Sequence, residues 1–277
     1  MAIAKEDFDY IRTYVRSEAA IVLEPGKEYL VECRLAPVAR SAGLASIADL
    51  VSSLRYKPQN GLHRQVVEAM TTNETSFFRD VAPFEAMRTK VIPDLLRRRA
   101  AQRKLRIWCA AASTGQEPYS LAMLLLEHFP ALAGWDVKIQ ATDIAREILD
   151  KARAGRYSQL EVNRGLPAPM LAKYFERAGT EWQIRESVRR LVQYSETNLV
   201  RPWVGVGNAD IVFIRNVLIY FDVPTKREIL GRIRTVLAPD GYLFLGSVET
   251  TLEIDPSYQR MPIGRATCYR PPGAEIS

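Results

Sequence analysis

The sequence has few of the residues that most often carry acid–base or metal chemistry. Its 277 residues include two histidines, His63 and His128, and three cysteines. A histidine-based metal site or a Ser-His-Asp triad is therefore nearly excluded, and no metal site is expected. We expect His128, which follows an apolar helical run, at the surface end of a helix. Cys33, Cys109 and Cys268 have neither disulfide-framework nor zinc spacing, which predicts free, mostly buried thiols.

Long apolar runs are also missing. The longest, around LAMLLLEHF, is too short to span a bilayer. The first residues, MAIAKEDFDY, carry acids early and no apolar core, unlike a signal peptide. We therefore expect a soluble, cytoplasmic protein. Hydrophobic residues make up 47% and the net charge is +6. This composition is typical of a globular protein, and the charge favours an anionic partner: a nucleic acid, a membrane surface or an acidic protein.

Apolar residues recur at helical spacing through the first part of the chain, which predicts an all-helical domain over residues 1–72. In the second helix, EYLVECRLAPVARSAG, the pattern places four side chains inward: Leu30, Cys33, Leu35 and Val38. The same helix leaves Arg34 and Arg40 outward. These two arginines belong either to a solvated face or to a docking surface for an acidic partner.

From about residue 105 strands alternate with helices. The predicted strands are LRIWCAA, WDVKIQATD, DIVFIRNVLIYF, YLFLGS and a short last one, ATCYRP. This alternation predicts an α/β domain over residues 73–277, with a mostly parallel, Rossmann-like sheet covered by helices. WQIRES and RLVQYSE break the alternation. They predict a small inserted antiparallel β flap, a β-subdomain at about residues 162–196.

Polar clusters follow the ends of the predicted strands, where an open parallel sheet binds its ligands. They are Ser113–Glu117, Thr142–Asp143, Arg215–Asn216 and Thr197–Asn198. An acid at the position of Asp143 can accept both ribose hydroxyls of a nucleoside. The alternative is that Asp143 caps the helix that follows it.

The stretch WCAAASTGQEPYSLAM has the strand–turn–helix pattern of a nucleotide loop but contains one glycine, Gly115. A dinucleotide needs free helix N–H groups for its pyrophosphate, which Glu117 would repel. An acid there suits a cationic or amine-bearing ligand, such as S-adenosylmethionine. These residues favour a methyltransferase over a dehydrogenase.

The segment MTTNETSFFRD joins the helical region to the sheet. Asn73, Thr75 and Arg79 flank the two aromatic residues Phe77 and Phe78. One interpretation is a capped helix start with both phenylalanines in the core. The other is a clamp over the amino-acid end of the ligand, where Arg79 holds a carboxylate through two hydrogen bonds.

Five segments occur in an order that resembles the chemotaxis receptor methyltransferases of the CheR type: TTNETSFFRD, LRIWCAAASTGQEPYSLAM, ATDI, TNL and IVFIRNVLIYFD. The resemblance covers nearly the whole chain. It implies methylation by S-adenosylmethionine, with S-adenosylhomocysteine as product, of glutamate side chains on cytoplasmic helices of bacterial chemoreceptors. We further expect a monomer that is recruited to receptor arrays without inserting into the membrane.

The resemblance assigns cofactor contacts to nine residues: Asn73, Thr75, Arg79, Glu117, Asp143, Asn198, Leu199, Arg215 and Asn216. Arg79 and Asn216 are expected to position the reactants. Members of the family commonly have Glu-Glu before PYS, and Gln116 replaces the first glutamate here.

Some members of the family hold a C-terminal peptide tether of the receptor on the flap. The segment from Phe175 to Asn198 is short, which predicts direct recognition of receptor helices without that tether. Arg34 and Arg40 would then dock the acidic helices. Two alternatives remain open. A nucleic-acid methyltransferase would need aromatic residues that stack a base, and no clear aromatic–basic interleave is present. The other alternative is a non-catalytic, cofactor-sensing adaptor on the receptor array.

Overall fold

The structure, a computed structural model, describes residues 3–56, 58 and 60–273. The chain folds into two compact units. The helical unit comprises the residues up to Thr72 together with Tyr220–Thr225, and the sheet unit comprises Asn73–Ile219 and the residues from Lys226 onward. Among the described residues, none of the helices has the length and hydropathy required to cross a membrane.

In the first part of the chain the structure describes the helices α1 Lys5–Ala19, α2 Glu28–Ser41, α3 Ile47–Tyr56 and α4 Gly61–Met70. In α2 the buried residues are Val31, Leu35 and Ala39. Cys33 is exposed, so its predicted inward position is wrong. The buried residues repeat every four positions, and a residue two places from Val31 lies on the opposite side of the helix.

His63 has a structural role inside the helical unit. Its Nδ1 accepts a hydrogen bond from the Asn60 backbone N–H at 3.3 Å, while the Asn60 side chain accepts one from the N–H of Leu62. Its Nε2 lies 3.1 Å from the carbonyl oxygen of Leu54 at the end of α3. The side chain thus caps α4 and joins two helices.

The sheet unit begins with a helical segment that the sequence patterns did not predict. It comprises α5 Ala82–Ala86, a π-helical turn at Met87–Val91 and α6 Ile92–Arg98. The following elements, in chain order, are β1 Lys104–Ala110, α7 Gln116–His128, a 3-10 turn at Pro130–Leu132, β2 Asp136–Asp143, α8 Arg146–Ala154, β3 Arg156–Tyr157, α9 Gln159–Asn163, α10 Ala168–Tyr174, β4 Phe175–Ala178 and β5 Glu181–Ile184. The last elements are α11 Glu186–Arg189, β6 Val192–Glu196, β7 Ala209–Ile214, a 3-10 turn at Leu218–Tyr220, α12 Val223–Val236, β8 Leu237–Leu245, β9 Gln259–Ile263 and β10 Ala266–Arg270. Of these residues, Tyr220–Thr225 belong to the helical unit.

The main sheet has seven strands in the order β6-β2-β1-β7-β8-β10-β9. The strands from β6 to β8 are parallel, and β10 and β9 pair antiparallel at the other edge. The chain leaves β1 toward β2 on one side and later returns to β7 on the other. The crevice between the ends of β1 and β7 is therefore the topological switch point, where this type of sheet binds ligands.

Two predicted strands differ from the observed ones. RLVQYSE, predicted as part of the flap, forms β6 and pairs in parallel with β2. An exposed edge strand alternates in polarity just as a flap strand does, so the sequence pattern did not distinguish them. DIVFIRNVLIYF ends as a strand at Ile214 because Asn216 adopts a left-handed backbone with φ of 58°.

A second, three-stranded antiparallel sheet has the order β3-β5-β4, and we call it the small sheet. Its strands lie between Arg156 and Ile184, so they begin earlier than predicted and end before β6. Ala178 pairs with Glu181, which leaves a turn of only Gly179 and Thr180 between β4 and β5.

Candidate functional site

Backbone strain marks the segments at the switch point. Six non-glycine residues there have φ between 39° and 66°: Phe78, Asp80, Val81, Ala111, Ser113 and Asn216. The left-handed region costs most residues about 1–2 kcal/mol, and such residues persist where their surroundings hold them. Three separate pieces of chain are thus held in unfavourable conformations beside the ends of β1 and β7.

Asp143, the last residue of β2, holds the loop after β1. Its Oδ2 accepts a hydrogen bond from the Ser113 N–H at 2.9 Å, and its Oδ1 accepts one from the Ala145 N–H at 3.0 Å. Burial raises the pKa of Asp143, and the backbone N–H donors oppose that shift. The N–H of Ile144 also hydrogen-bonds the carboxylate, so three backbone donors meet this side chain. The side chain therefore holds the turn before α8, but it does not cap that helix as the alternative interpretation predicted, because Ala145 is the N-cap residue and α8 has no side-chain cap hydrogen bond.

Gly115 precedes α7 with φ of 92°. A Cβ at this position would lie 2.6 Å from the hydroxyl of Tyr194 and 3.1 Å from the hydroxyl of Tyr157. Glycine is thus required here for two reasons: the backbone is left-handed, and the two tyrosine hydroxyls leave no room for a Cβ. The single glycine of this loop serves the packing of the loop onto the domain.

Glu117, in the first turn of α7, forms part of a buried charge cluster. Arg215 donates to Glu117 Oε2 at 2.7 Å, to Asp80 Oδ2 at 2.6 Å and to the carbonyl oxygen of Arg79 at 3.0 Å. The Arg215 side chain is 1% exposed, and those of Glu117 and Asp80 are 13% and 35% exposed. Arg215 therefore acts through its neighbours by fixing Glu117 and the turn at Asp80.

The carboxylate of Glu117 keeps binding capacity. Burial raises its pKa, while Arg215 and, more weakly, Arg79 favour the ionised form. Arg215 contacts Oε2, and no hydrogen bond from the described residues reaches Oε1. A buried carboxylate with one uncommitted oxygen gains most from a cationic ligand that can donate a hydrogen bond.

The segment from Asn73 to Asp80 packs against α7. The Phe78 N–H donates to Ser120 Oγ at 2.9 Å, and Ser120 donates to the Gln116 carbonyl oxygen at 2.6 Å. Phe77 and Phe78 are buried, as the core interpretation predicted. The Ser113 hydroxyl donates to the Asn73 carbonyl oxygen at 2.8 Å, which joins this segment to the loop after β1.

The two remaining polar positions in this segment border the site. Arg79 is half-buried and donates to the carbonyl oxygen of Glu74 at 3.0 Å. Thr75 is half-buried as well. Both side chains are therefore accessible to a small ligand while their backbones are held by the packed segment.

Glu249, which lies beyond β8, is a site residue that the sequence patterns did not reveal. Its Oε2 accepts hydrogen bonds from the N–H groups of Asn216 and Gly246, at 2.7 and 2.6 Å, and its Oε1 accepts one from Ile219 at 3.3 Å. Glu249 therefore holds the left-handed turn at Asn216. No sequence motif marks this role, because the carboxylate and the N–H groups of residues 216 and 219 are about thirty positions apart.

Asn198 and Leu199 lie just after β6. The Asn198 Oδ1 accepts the Val200 N–H at 3.1 Å, and the Thr197 N–H donates to the Asp143 carbonyl oxygen at 2.9 Å. Leu199 is buried, and its carbonyl oxygen accepts a hydrogen bond from Trp203 at 3.1 Å. This turn therefore lies beside the end of β2, next to Asp143.

The structure thus brings most predicted site residues to one edge of the main sheet. Hydrogen bonds link the segments that carry Asn73, Arg79, Glu117, Asp143 and Arg215. Asn216 follows Arg215 directly. The two docking candidates belong to the helical unit instead.

Arg34 and Arg40 have different surroundings in the helical unit. Arg34 donates to the carbonyl oxygens of Met70 and Thr71, at 2.7 and 2.9 Å, and to the Thr72 hydroxyl at 2.9 Å. Arg40 is exposed. Arg34 therefore joins α2 to the end of α4, whereas Arg40 remains accessible to a partner.

This donor set fits S-adenosylmethionine better than a dinucleotide. Glu117 occupies the helix start that would have to bind a pyrophosphate, and Asp143 provides the acid for a ribose. Two family models match the chain: the all-alpha domain of CheR methyltransferases over residues 6–71 and the SAM binding domain of CheR methyltransferases over residues 73–266.

The chain belongs to the CheR methyltransferase family. It is 39% identical to the chemotaxis protein methyltransferase Cher2 of Pseudomonas putida, over 98% of this chain and 99% of that protein. It is 40% identical to chemotaxis protein methyltransferase 1 of Pseudomonas aeruginosa, again over 98% and 99%. A Vibrio parahaemolyticus chemotaxis protein methyltransferase is 36% identical over 98% of both chains. Residues 73–266 of this CheR protein thus form an S-adenosylmethionine-binding methyltransferase domain.

Proposed function

We propose that this protein transfers the methyl group of S-adenosylmethionine to glutamate side chains on cytoplasmic helices of bacterial chemoreceptors, forming methyl esters. The observation that carries the proposal is the buried Glu117 carboxylate at the start of α7, held by Arg215 at 2.7 Å. The relatives over the full length, which are named chemotaxis protein methyltransferases, support the choice of substrate.

The chemistry needs no general base. A glutamate side chain is already ionised at neutral pH, since its ordinary pKa is about 4.3. When bound, the cofactor would supply a methyl group on a sulfonium: the receptor carboxylate would bond to the methyl carbon as the bond from that carbon to sulfur breaks, and S-adenosylhomocysteine would leave as a neutral thioether. The protein must therefore align two reactants and exclude water. Neither histidine is required: His63 is hydrogen-bonded inside the helical unit, and His128 is exposed at the end of α7.

Each site residue has one task in this proposal. Glu117 accepts a hydrogen bond from the amino group of the cofactor through its uncommitted oxygen, and Asp143 accepts the ribose hydroxyls. Arg79 binds the carboxylate of the cofactor. Arg215 and Asn216 hold the end of β7 in place. The remaining contacts with the cofactor are assigned to Asn73, Thr75, Asn198 and Leu199.

Receptor recognition is assigned to the helical unit. Charge there would attract acidic receptor helices. Arg40 is the better contact, because the guanidinium of Arg34 is engaged by oxygens at the end of α4. The two-residue turn between β4 and β5 offers little surface for a peptide. We therefore keep the proposal that receptor helices are bound directly, without a C-terminal tether, by a monomer from the cytoplasm.

The central experiment incubates the protein with methyl-labelled cofactor and receptor-bearing membranes, followed by mild base. Glutamyl methyl esters release labelled methanol, which is the expected result. Label that resists base and follows nucleic acid would instead indicate a nucleic-acid methyltransferase. Cofactor binding without any transfer would indicate an adaptor. A receptor lacking its last residues should be methylated at the same rate as the intact receptor, and a large loss of rate would refute tether-free recognition.

The docking assignment is tested by two charge reversals. Arg40→Glu should raise KM for the receptor several-fold at low salt, with S-adenosylhomocysteine affinity unchanged, because a surface charge mainly steers association. Arg34→Glu should lower the melting temperature, since it breaks hydrogen bonds between α2 and α4. Equal receptor KM for the wild type and Arg40→Glu at every salt concentration would remove Arg40 from the interface.

A further inference from the structure

Tyr157 of the small sheet contacts the loop that follows β1. Its hydroxyl donates to the Thr114 carbonyl oxygen at 2.8 Å, and the side chain is fully buried. Thr114 lies in the loop between Ser113 and Gly115, which have left-handed backbones. A strained loop persists only where neighbouring groups hold it. One of these groups comes from the small sheet rather than from the main sheet.

The ring of Tyr157 also supports the second cofactor segment. Its centroid lies 5.0 Å from that of Phe77, edge to face, and Phe77 packs in the same way against Phe175 of β4 at 5.7 Å. Gly165, between α9 and α10, approaches so closely that a Cβ there would clash with the Phe77 carbonyl oxygen. The region of the small sheet thus abuts the chain only two residues before Arg79.

We propose that Tyr157 is a positioning residue for the cofactor, through which the small sheet holds both the Ser113–Glu117 loop and the Asn73–Arg79 segment in their binding conformation. The inference rests on the proposed assignment of these segments to the cofactor. Coupling between two sites is reciprocal. A partner bound to the small sheet would therefore change the affinity for the cofactor, and bound cofactor would reduce the local motion of the small sheet.

The test removes one hydroxyl and compares it with a matched hydroxyl elsewhere in the same region. Tyr157→Phe keeps the ring contacts and deletes the hydrogen bond to Thr114. Tyr174→Phe deletes a hydroxyl that donates to Glu127 at 2.7 Å, away from the loop. Calorimetry should show S-adenosylhomocysteine binding about 3- to 10-fold weaker in Tyr157→Phe, the usual effect of one hydrogen bond, and nearly unchanged binding in Tyr174→Phe.

Kinetics and hydrogen exchange separate positioning from general destabilisation. In Tyr157→Phe, KM for the cofactor should rise by the same factor as the dissociation constant while kcat stays nearly constant. Amides of residues 113–116 should exchange faster in the free protein. Equal dissociation constants for the wild type and Tyr157→Phe would overturn the inference.

If Tyr157→Phe does not fold, a measurement on the wild type tests the inference instead. Adding S-adenosylhomocysteine should slow amide exchange in β3 and β5, which carry none of the proposed cofactor contacts. Unchanged exchange there would overturn the inference in that case. A wild type that binds no S-adenosylhomocysteine would instead refute the proposed cofactor site itself, so the two failures are distinguishable.

Discussion

Replacing Arg215 with glutamine tests the charge cluster directly. The guanidinium is 1% exposed and compensates the Glu117 carboxylate, whose side chain is 13% exposed. Without it, Glu117 must remain ionised and unpaired or take up a proton. Protonating an ordinary glutamate at pH 7 costs about 3.7 kcal/mol, which is an upper limit on that penalty. The lost hydrogen bonds to Asp80 and the Arg79 carbonyl add about 1–2 kcal/mol.

The loss of stability in Arg215→Gln should depend on pH, whereas a simple loss of packing would not. Burial already raises the folded-state pKa of Glu117 above its usual value although Arg215 opposes the shift. Without Arg215 this pKa should rise further, so the folded variant binds more protons than its unfolded form and more than the folded wild type. The contribution of Glu117 to the free energy of unfolding of the variant should therefore rise as the pH falls, and the comparison with the wild type isolates it from the other carboxylates. The difference from the wild type should shrink by up to about 1.4 kcal/mol per pH unit between pH 7 and pH 5.

The assay is urea unfolding of the wild type, Arg215→Gln, Glu117→Gln and the double variant at several pH values. We expect a loss of about 3–5 kcal/mol for Arg215→Gln at pH 7, as for other broken buried pairs. The double variant should regain much of this stability yet bind no S-adenosylhomocysteine, since the carboxylate is gone. A loss below about 1 kcal/mol, or a loss independent of pH, would refute the reasoning.

Two further changes probe the loop and its anchor. Asp143→Ala should weaken S-adenosylhomocysteine binding at least about tenfold in calorimetry, because it removes the proposed ribose acceptor and the anchor of the loop. The exposed Asp150→Ala serves as its control, and unchanged binding in Asp143→Ala would undo the ribose assignment. Gly115→Ala should cost more than about 1–2 kcal/mol in urea unfolding, because it adds a clash with Tyr194 to the left-handed strain. Gly179→Ala, with φ of 67° and open space around it, carries the strain alone; equal losses in the two variants would contradict the clash.

Much of the candidate site could be predicted from the sequence, because its motifs lie at the ends of strands. β1, α7, β2 and β7 each show their own apolar period, and polar residues follow directly. Parallel strands bring such residues to one edge of a sheet. Asp143, Glu117 and Arg215 could therefore be placed together without any knowledge of their contacts.

Other parts depended on contacts between distant residues. Whether β6 belongs to the main sheet or to the small sheet depends on its pairing with β2, about fifty positions earlier in the chain. Glu249 binds N–H groups on a turn that only the sheet brings near it. Arg34 was predicted to face outward, but the end of α4 lies within reach of its long side chain.

The sequence by itself determined the two-part organisation and the alternation of strands and helices. It also determined that Glu117 stands at a helix start where a phosphate-binding loop would have no acidic residue. Those features follow from local periodicity and from the residue types in short motifs. Only the tertiary structure decided that Arg215 holds Glu117, that Asp143 anchors the loop after β1, and that Tyr157 supports this loop from the small sheet. Each of these depends on atoms that are distant in the chain and meet only when the sheet is assembled.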